Sequence, residues 1–437
     1  VQAIPGWTIL RQRLALAQGQ ATDQLPMLSL SGKQIALFAP SPEDGRLAPL
    51  WTRSFAEAEG RPSVLRMSWD ATLLFWPGDQ RGPRLELINT RGETLWTTPH
   101  FASLLPPGED DNATPLFTPL DGDVQPSDML VAADQTTAVL IERRGRAVAF
   151  DLATGKARWT RSLPTTAVYD AAIAAGRLVV AGIVDVETMP QVLALDTLTG
   201  TPGASVGGPD KPMRASPRWL RAAGDRVIIG LADSIASWNP ADGSVDWSLA
   251  GPAAQRSVDA WVVGQRLLLL SQAEELWQID LATGVARDPS LRTAGRLGDI
   301  RRQRDPEDPG NTIAEGPDGS LVLASENGIA CFDPTGELAG IDAAGQTARD
   351  RLVALANNAA VMLEAGPEST RDGRRTPTLQ IVSLPGGRMV LDTALSMFDA
   401  PSRVAVIDGK IAVSAGPITL VLDAPLPAEV AEATPSR

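Results

Sequence analysis

Residues 151–163 read DLATGKARWTRSL, and they follow the apolar run Ala147-Val148-Ala149-Phe150. The alternation before Asp151 predicts a β-strand. The Asp side chain can accept hydrogen bonds from backbone N–H groups two residues further on, and Gly155 suits the positive φ that a short hairpin turn requires. The stretch therefore predicts a β-hairpin whose second strand carries Trp159.

The same pattern recurs along the chain, with a polar cap, a Gly four residues later and, in some copies, a Trp four residues after the Gly. A fixed repeat of this kind indicates a modular fold. Shorter copies run from Asn89 to Gly92 and from Asp333 to Gly336. The full-length repeat turns are Asp151, Gly155 and Trp159; Asp196 and Gly200; Asn239, Gly243 and Trp247; and Asp280 and Gly284.

Two further short strands precede most of these hairpins, so each unit has four antiparallel strands in about 40 to 50 residues, the period of a propeller blade. Seven units end near Trp96, Trp159, Val206, Trp247, Leu291, Ile341 and Leu391. We expect residues 25–55 and 404–423 to share one further blade, because a propeller closes its ring by combining both chain ends. The prediction is an all-β, single β-propeller of eight blades, with seven or nine left open. It spans residues 25–423, between an N-terminal segment (1–24) and a flexible C-terminal tail (424–437).

Four tryptophans occupy one repeat position, on the outer strand just after the hairpin turn: Trp51, Trp96, Trp159 and Trp247. A large ring at a fixed repeat position is expected to pack between neighbouring blades. A ligand-stacking role would require the rings to converge on the propeller axis, and outer-strand positions do not converge there.

Composition excludes several classes of function. The 437-residue chain has a formal net charge of −13, and an acidic surface repels nucleic acid. Its single Cys excludes an internal disulfide and any zinc site built on several cysteines. Its single His, His100, argues against His-rich metal sites and a His-dependent catalytic triad. We therefore assign no catalytic, cofactor-binding or metal-binding residue.

The motif apolar-Asp-x-x-Thr-Gly-x-x-x-Trp resembles the repeat of pyrroloquinoline-quinone-type (PQQ-like) propellers, a WD40-like architecture, over residues 25–423. That family includes quinone-dependent dehydrogenases and non-enzymatic scaffolds, such as the propeller lipoprotein of the outer-membrane β-barrel assembly machine. The quinone enzymes imply a calcium-bound cofactor together with either a vicinal Cys-Cys disulfide or a His base. The single Cys331 cannot form that disulfide, and no position matches either catalytic motif. The resemblance is greatest to the scaffold members.

These features predict a non-catalytic scaffold for protein–protein interaction in an extracytoplasmic, membrane-associated assembly, with no cofactor. A chain that begins at Val1 is consistent with a removed signal peptide or anchor, the only direct membrane attachment expected. The alternatives are a quinone-dependent oxidoreductase and a ligand-sensing ectodomain. Long segments at 100–127, 207–216, 292–312 and 365–378 should gather on one side of the disc, where loops carry recognition. The candidate partner-contact residues are Phe101, Leu104, Leu105, Phe117, Arg301, Arg302 and Arg304.

Overall fold

The computed structural model describes residues 2–423, except for 10–26, 102–128, 293–312, 343–350, 365–376 and shorter connections of one to five residues. Within the described residues, 36 β-strands form nine four-stranded antiparallel sheets. Each sheet is one blade of a β-propeller. The all-β propeller prediction is therefore confirmed.

The first strands in chain order are β1 Gln2–Pro5, β2 Thr8–Ile9, β3 Met27–Ser31, β4 Gln34–Pro40, β5 Leu47–Ser54, β6 Ser63–Met67, β7 Ala71–Trp76, β8 Arg84–Asn89, β9 Thr94–Thr97, β10 Met129–Ala133, β11 Thr137–Glu142, β12 Arg146–Asp151 and β13 Ala157–Ser162. They continue as β14 Ala167–Ala174, β15 Arg177–Val184, β16 Met189–Asp196, β17 Pro202–Gly207, β18 Trp219–Ala223, β19 Arg226–Gly230, β20 Ser234–Trp238, β21 Val245–Ala250, β22 Ser257–Val263, β23 Arg266–Ser271, β24 Glu275–Asp280 and β25 Ala286–Arg292. The last are β26 Ile313–Glu315, β27 Leu321–Ser325, β28 Gly328–Phe332, β29 Leu338–Asp342, β30 Arg351–Ala356, β31 Ala359–Glu364, β32 Thr378–Ser383, β33 Arg388–Ala394, β34 Pro401–Ile407, β35 Lys410–Ala415 and β36 Ile418–Asp423.

Blades 1 to 8 each take four consecutive strands, beginning with β2–β5 in blade 1 and ending with β30–β33 in blade 8. Blade 9 takes β34, β35 and β36 from the C-terminal end and β1 from the N-terminal end as its outer strand. In each of blades 1 to 8 the first strand is the innermost and the fourth is the outermost. The seven units read from the sequence correspond to blades 2 to 8.

One blade is closed by both chain ends, as predicted, but through different strands from those expected. Residues 25–55 do not pair with residues 404–423; instead β1 pairs with β36 in the register Gln2↔Val421, and β2 pairs with β3 in blade 1. Each of the two fragments is completed by a separate strand from residues 2–9, so the described residues form nine blades, a count the prediction left open, rather than the preferred eight. The expected propeller boundary at residue 25 is wrong for the same reason. The tail from 424 lies outside the described residues.

Apolar side chains join consecutive blades around the ring. Leu37 of blade 1 packs with Trp76 of blade 2, and Val413 of blade 9 packs with Val361 of blade 8. Comparable clusters join blades 2 to 7 and join blade 9 to blade 1. Between blades 7 and 8, strands β26 and β27 contact β30. The ring is therefore closed within the described part of the chain, and its core is a series of blade-to-blade interfaces.

Strand order divides the disc into two faces. Turns between the first and second strands and between the third and fourth strands lie on one face, named the hairpin face. Turns between the second and third strands and the links between blades lie on the opposite face, named the link face. The segments 100–127, 207–216, 292–312 and 365–378 all join strands at the link face. Residues 10–26 join β2 to β3 and therefore connect at the hairpin face, a long connection that the sequence reading did not place there.

Candidate functional site

The repeat turns share one hydrogen-bonding arrangement. In blade 3, Asp151 Oδ1 accepts from Thr154 N at 2.9 Å and from Ala153 N at 3.0 Å, and Gly155 N donates to Asp151 O at 2.8 Å. The φ of Gly155 is +67°, which favours glycine. Asp196, Asn239 and Asp280 cap the equivalent turns of blades 4, 5 and 6. These residues build the propeller turns.

The acidic caps are held in their charged forms. The Arg158 side chain, which donates to Asp151 Oδ2 at 2.6 Å, lowers the pKa of Asp151, and Thr154 adds to the effect. Desolvation acts to raise the pKa of Asp196, but hydrogen bonds from the backbone and side chain of its own turn outweigh it, and the pKa is lowered. Hydrogen bonds from Thr283 lower the pKa of Asp280. Each shift is explained by the geometry of a turn.

The repeat tryptophans lie between blades. The ring of Trp159, which is buried, covers Gly200 of the next blade, where an added Cβ would lie 2.8 Å from the ring. Its Nε1 donates to Thr197 O at 2.9 Å. The other pairs follow the same rule and are Trp51 with Gly92, Trp96 with Gly155, and Trp247 with Gly284. The rings therefore act as spacers between an outer strand and the neighbouring hairpin, away from the axis.

Blade 4 departs from this rule. Its outer strand β17 carries Ala204 at the repeat position, and the Cβ of Ala204 lies 3.2 Å from the place where a Cβ on Gly243 would stand. The hairpin of blade 5 therefore packs directly on a small side chain. The junction of blades 4 and 5 retains its apolar core without a tryptophan spacer.

The inner strands of three blades are connected by an ion pair and by hydrogen bonds from its two side chains. Asp170 of β14 accepts from Leu220 N at 2.8 Å and from Arg221 Nη1 at 3.3 Å. Arg221 of β18 also donates from Nε to Ala260 O of β22 at 2.7 Å. Backbone groups on the innermost strands are thereby bonded to side chains of neighbouring blades. This network binds blades 4, 5 and 6 together near the axis.

The predicted partner-contact set is corrected at one position. Phe101 is fully buried among the apolar side chains of blades 2 and 3, and its backbone N donates to Pro83 O at 2.8 Å. It therefore fills the interface between two blades and cannot contact a partner. The other six positions, Leu104, Leu105, Phe117, Arg301, Arg302 and Arg304, lie outside the described residues.

Three exposed apolar side chains that sequence reasoning did not select lie at the hairpin face. Leu198 and Val285 sit in the hairpins of blades 4 and 6, and Val245 begins the outer strand of blade 5. They are 61%, 61% and 52% exposed. They belong to three consecutive blades, and we name them the hairpin-face apolar triad. The alternating pattern gave no signal for them because each follows or lies within a turn.

Among the described residues, no group of three or more His, Cys, Asp or Glu side chains is placed to bind a metal ion. Cys331 is buried in β28. His100 is half-buried, with Nδ1 2.9 Å from Gly82 O. In the same part of the chain, none of the secondary structure is a helix with the length and hydropathy of a membrane span.

Comparison with known proteins gives a family match and two similar solved structures. The family model for outer membrane protein assembly factor BamB matches residues 83–337, more than half of the chain. The crystal structure of BamB from Moraxella catarrhalis is similar with 16% identity and a TM-score of 0.44, covering 82% of this chain and 98% of that one. The computationally designed Ika8 protein is similar with 13% identity and a TM-score of 0.49, covering 81% and 93%. No curated protein matches.

Proposed function

The chain belongs to the BamB family of PQQ-type propellers, and from this premise we propose that it is a non-catalytic scaffold in the assembly of outer-membrane proteins. The observation that carries the proposal is the family match across residues 83–337. Under this proposal the protein works outside the cytoplasm, binds protein partners in a larger complex and requires no cofactor. A membrane is reached through a partner or an anchor.

The architecture is suited to that role because a scaffold must hold more than one partner at a time. The link face offers the long connections, and a stable interface needs about 800 Å² from each partner, which tight turns do not supply. The hairpin face offers the apolar triad of Leu198, Val245 and Val285. We propose that the main partner interface is on the link face and includes the 102–127 and 292–312 connections, and that the triad adds a smaller contact on the hairpin face.

The test is recovery of partners on the tagged, full-length protein from cell-envelope extracts. Leu198→Asp combined with Val285→Asp should reduce recovery of a hairpin-face partner by about tenfold, because a charge placed in an apolar contact is costly. The matched control is Leu95→Asp, since Leu95 is also exposed but lies on the outer strand of blade 2, outside the triad. Replacing 102–127 and 293–312 by Gly-Ser linkers should remove the link-face partner and leave the propeller folded, because no strand residue is replaced.

Depletion of the protein in cells should lower the amount of assembled outer-membrane proteins. If neither set of variants changes recovery, the surfaces are wrong. If the unaltered protein recovers no specific partner and its depletion leaves outer-membrane proteins unchanged, the scaffold function is refuted.

A further inference from the structure

Strand β17, the outer strand of blade 4, differs in composition from the other long outer strands. Its residues are Pro202, Gly203, Ala204, Ser205, Val206 and Gly207, and it pairs with β16 on one side. Among the outer strands of six or more described residues, it is the one without a charged side chain. Pro202, Gly203 and Ser205 are exposed.

Outer strands of a propeller are sheet edges, and an edge presents alternate backbone N–H and C=O groups to any chain that can pair with them. Charged side chains on an edge discourage such pairing, because an added strand would have to desolvate them. The edge of β13 carries Arg158 and Arg161, and the edge of β21 carries Asp246. β17 carries no charged side chain, and the one protecting residue in it is Pro202 at its first position, so residues 203–207 all keep a backbone N–H group.

The two sides of β17 have different chemistry. Ala204 and Val206 lie on the side that faces blade 5, where they pack against the apolar core between the two blades. Ser205 lies between Ala204 and Val206 in the strand, so its side chain lies on the opposite side, the same side as that of its ladder partner Leu193. Ser205 is exposed there. A strand added to β17 would meet apolar side chains on one side and water on the other, so alternating apolar and polar residues would fit it.

We propose that β17 is a binding site for an extended peptide segment of a partner, which adds to blade 4 as a fifth strand. The peptide should alternate apolar and polar residues and be neutral or basic, because the chain carries a net charge of −13. The same charge disfavours a second copy of this chain at the edge. The proposal rests on the scaffold function and specifies the kind of segment that one partner presents.

The test uses the full-length protein and a labelled synthetic peptide of about eight residues, with alternating Val and Thr or Lys, measured by fluorescence anisotropy. Ser205→Lys should weaken binding about tenfold or more, a loss of about 1.4 kcal/mol. The matched control is Ser248→Lys, because Ser248 of β21 is the exposed residue that follows the repeat tryptophan position in blade 5. Ser248→Lys should leave binding within about twofold of the unaltered chain.

A second measurement separates backbone pairing from side-chain contact. N-methylation of alternate peptide residues removes the N–H groups along one edge of the peptide, so one of the two methylated patterns should lose binding and the other should keep it. A photo-crosslinking group on the peptide should label residues 202–207. Equal binding by both methylated peptides, equal loss in the two Lys variants, or labelling elsewhere would overturn the proposal. A concentration-dependent dimer abolished by Ser205→Lys would also overturn it, by assigning the edge to a second copy.

The result is distinguishable from failure of the scaffold function. Envelope partners recovered normally by Ser205→Lys, together with no peptide binding, would reject the β17 site and leave the scaffold function standing. Peptide binding at β17 with no recovered envelope partner would keep the β17 site and reject the scaffold function.

Discussion

The tryptophan spacers permit a prediction that separates packing from hydrogen bonding. Trp159 and Trp51 occupy the same repeat position and each covers a glycine of the next blade. Trp159 Nε1 donates to Thr197 O at 2.9 Å, whereas Trp51 Nε1 is buried without a hydrogen-bond partner. Replacement by Phe removes the N–H from both positions and keeps an aromatic ring.

The expected free energies follow from the two contexts. Trp159→Phe leaves the Thr197 carbonyl without its indole donor, and an unsatisfied buried polar group costs about 1–3 kcal/mol. Trp51→Phe removes a buried donor that was already unsatisfied, so its hydrogen-bonding term should be close to zero or favourable. Trp159 is buried and Trp51 is half-buried, so the loss of buried ring area acts in the same direction. The free energy of unfolding should therefore fall about 1–3 kcal/mol further in Trp159→Phe than in Trp51→Phe.

The measurement is urea denaturation, in which all variants are fitted with one value for the dependence of the unfolding free energy on urea concentration. Amide hydrogen exchange of the blade 4 hairpin supports it. Trp159→Ala provides the packing reference, with an expected loss of about 3–5 kcal/mol. Equal losses in the two Phe variants would show that the Thr197 bond does not stabilise the junction. A Trp159→Ala variant that melts like the unaltered chain and loses partner binding would refute the spacer role altogether.

Three further outcomes are expected. Gly155→Ala should lower the melting temperature more than Gly243→Ala. Both glycines have positive φ, but the added Cβ at 155 would lie 2.5 Å from a tryptophan ring. A larger loss in Gly243→Ala would contradict the spacer geometry. Deletion of residues 1–5 removes the outer strand of blade 9 and should cause aggregation or a lower melting temperature by calorimetry, and unchanged melting would contradict closure by β1. Asp151 has a lowered pKa, so its contribution to stability is present above the ordinary Asp pKa and is lost as pH falls through the folded-state value. Asp151→Asn should therefore show a smaller fall in melting temperature between neutral pH and about pH 3 than the unaltered chain. An equal fall in both proteins would assign the acid sensitivity to other carboxylates.

The repeat made the propeller predictable, because each hairpin is specified by local residues that recur. Asp151, Gly155 and Trp159 act through the turn and the adjacent blade, so their pattern survives in the sequence. Ring closure is different, since β1 and β2 have only four and two residues, too few to show an alternating pattern. Their pairing also joins positions as distant as Gln2 and Val421, which no local signal can report.

Phe101 shows a second limit of local reasoning. It follows Pro99 and His100 in a stretch that resembles a surface loop, and a large apolar residue in such a loop suggests a partner contact. Its burial depends on the gap between blades 2 and 3, which only the assembled ring defines. The hairpin-face apolar triad was missed for the converse reason, because residues within and beside turns were assigned to turn formation alone.

The repeat also shows how β17 departs from the outer strands of its neighbouring blades. The outer strands β13 and β21 each combine a tryptophan spacer with charged residues, and β17 has neither. Loss of the spacer is compensated locally, because the small Ala204 lets the blade 5 hairpin approach within van der Waals contact. No charged residue replaces the missing charge, and beyond Pro202 the strand is left open to strand addition. Structural requirements alone explain the alanine but not the uncharged edge, and that difference is the physical basis for assigning peptide binding to β17.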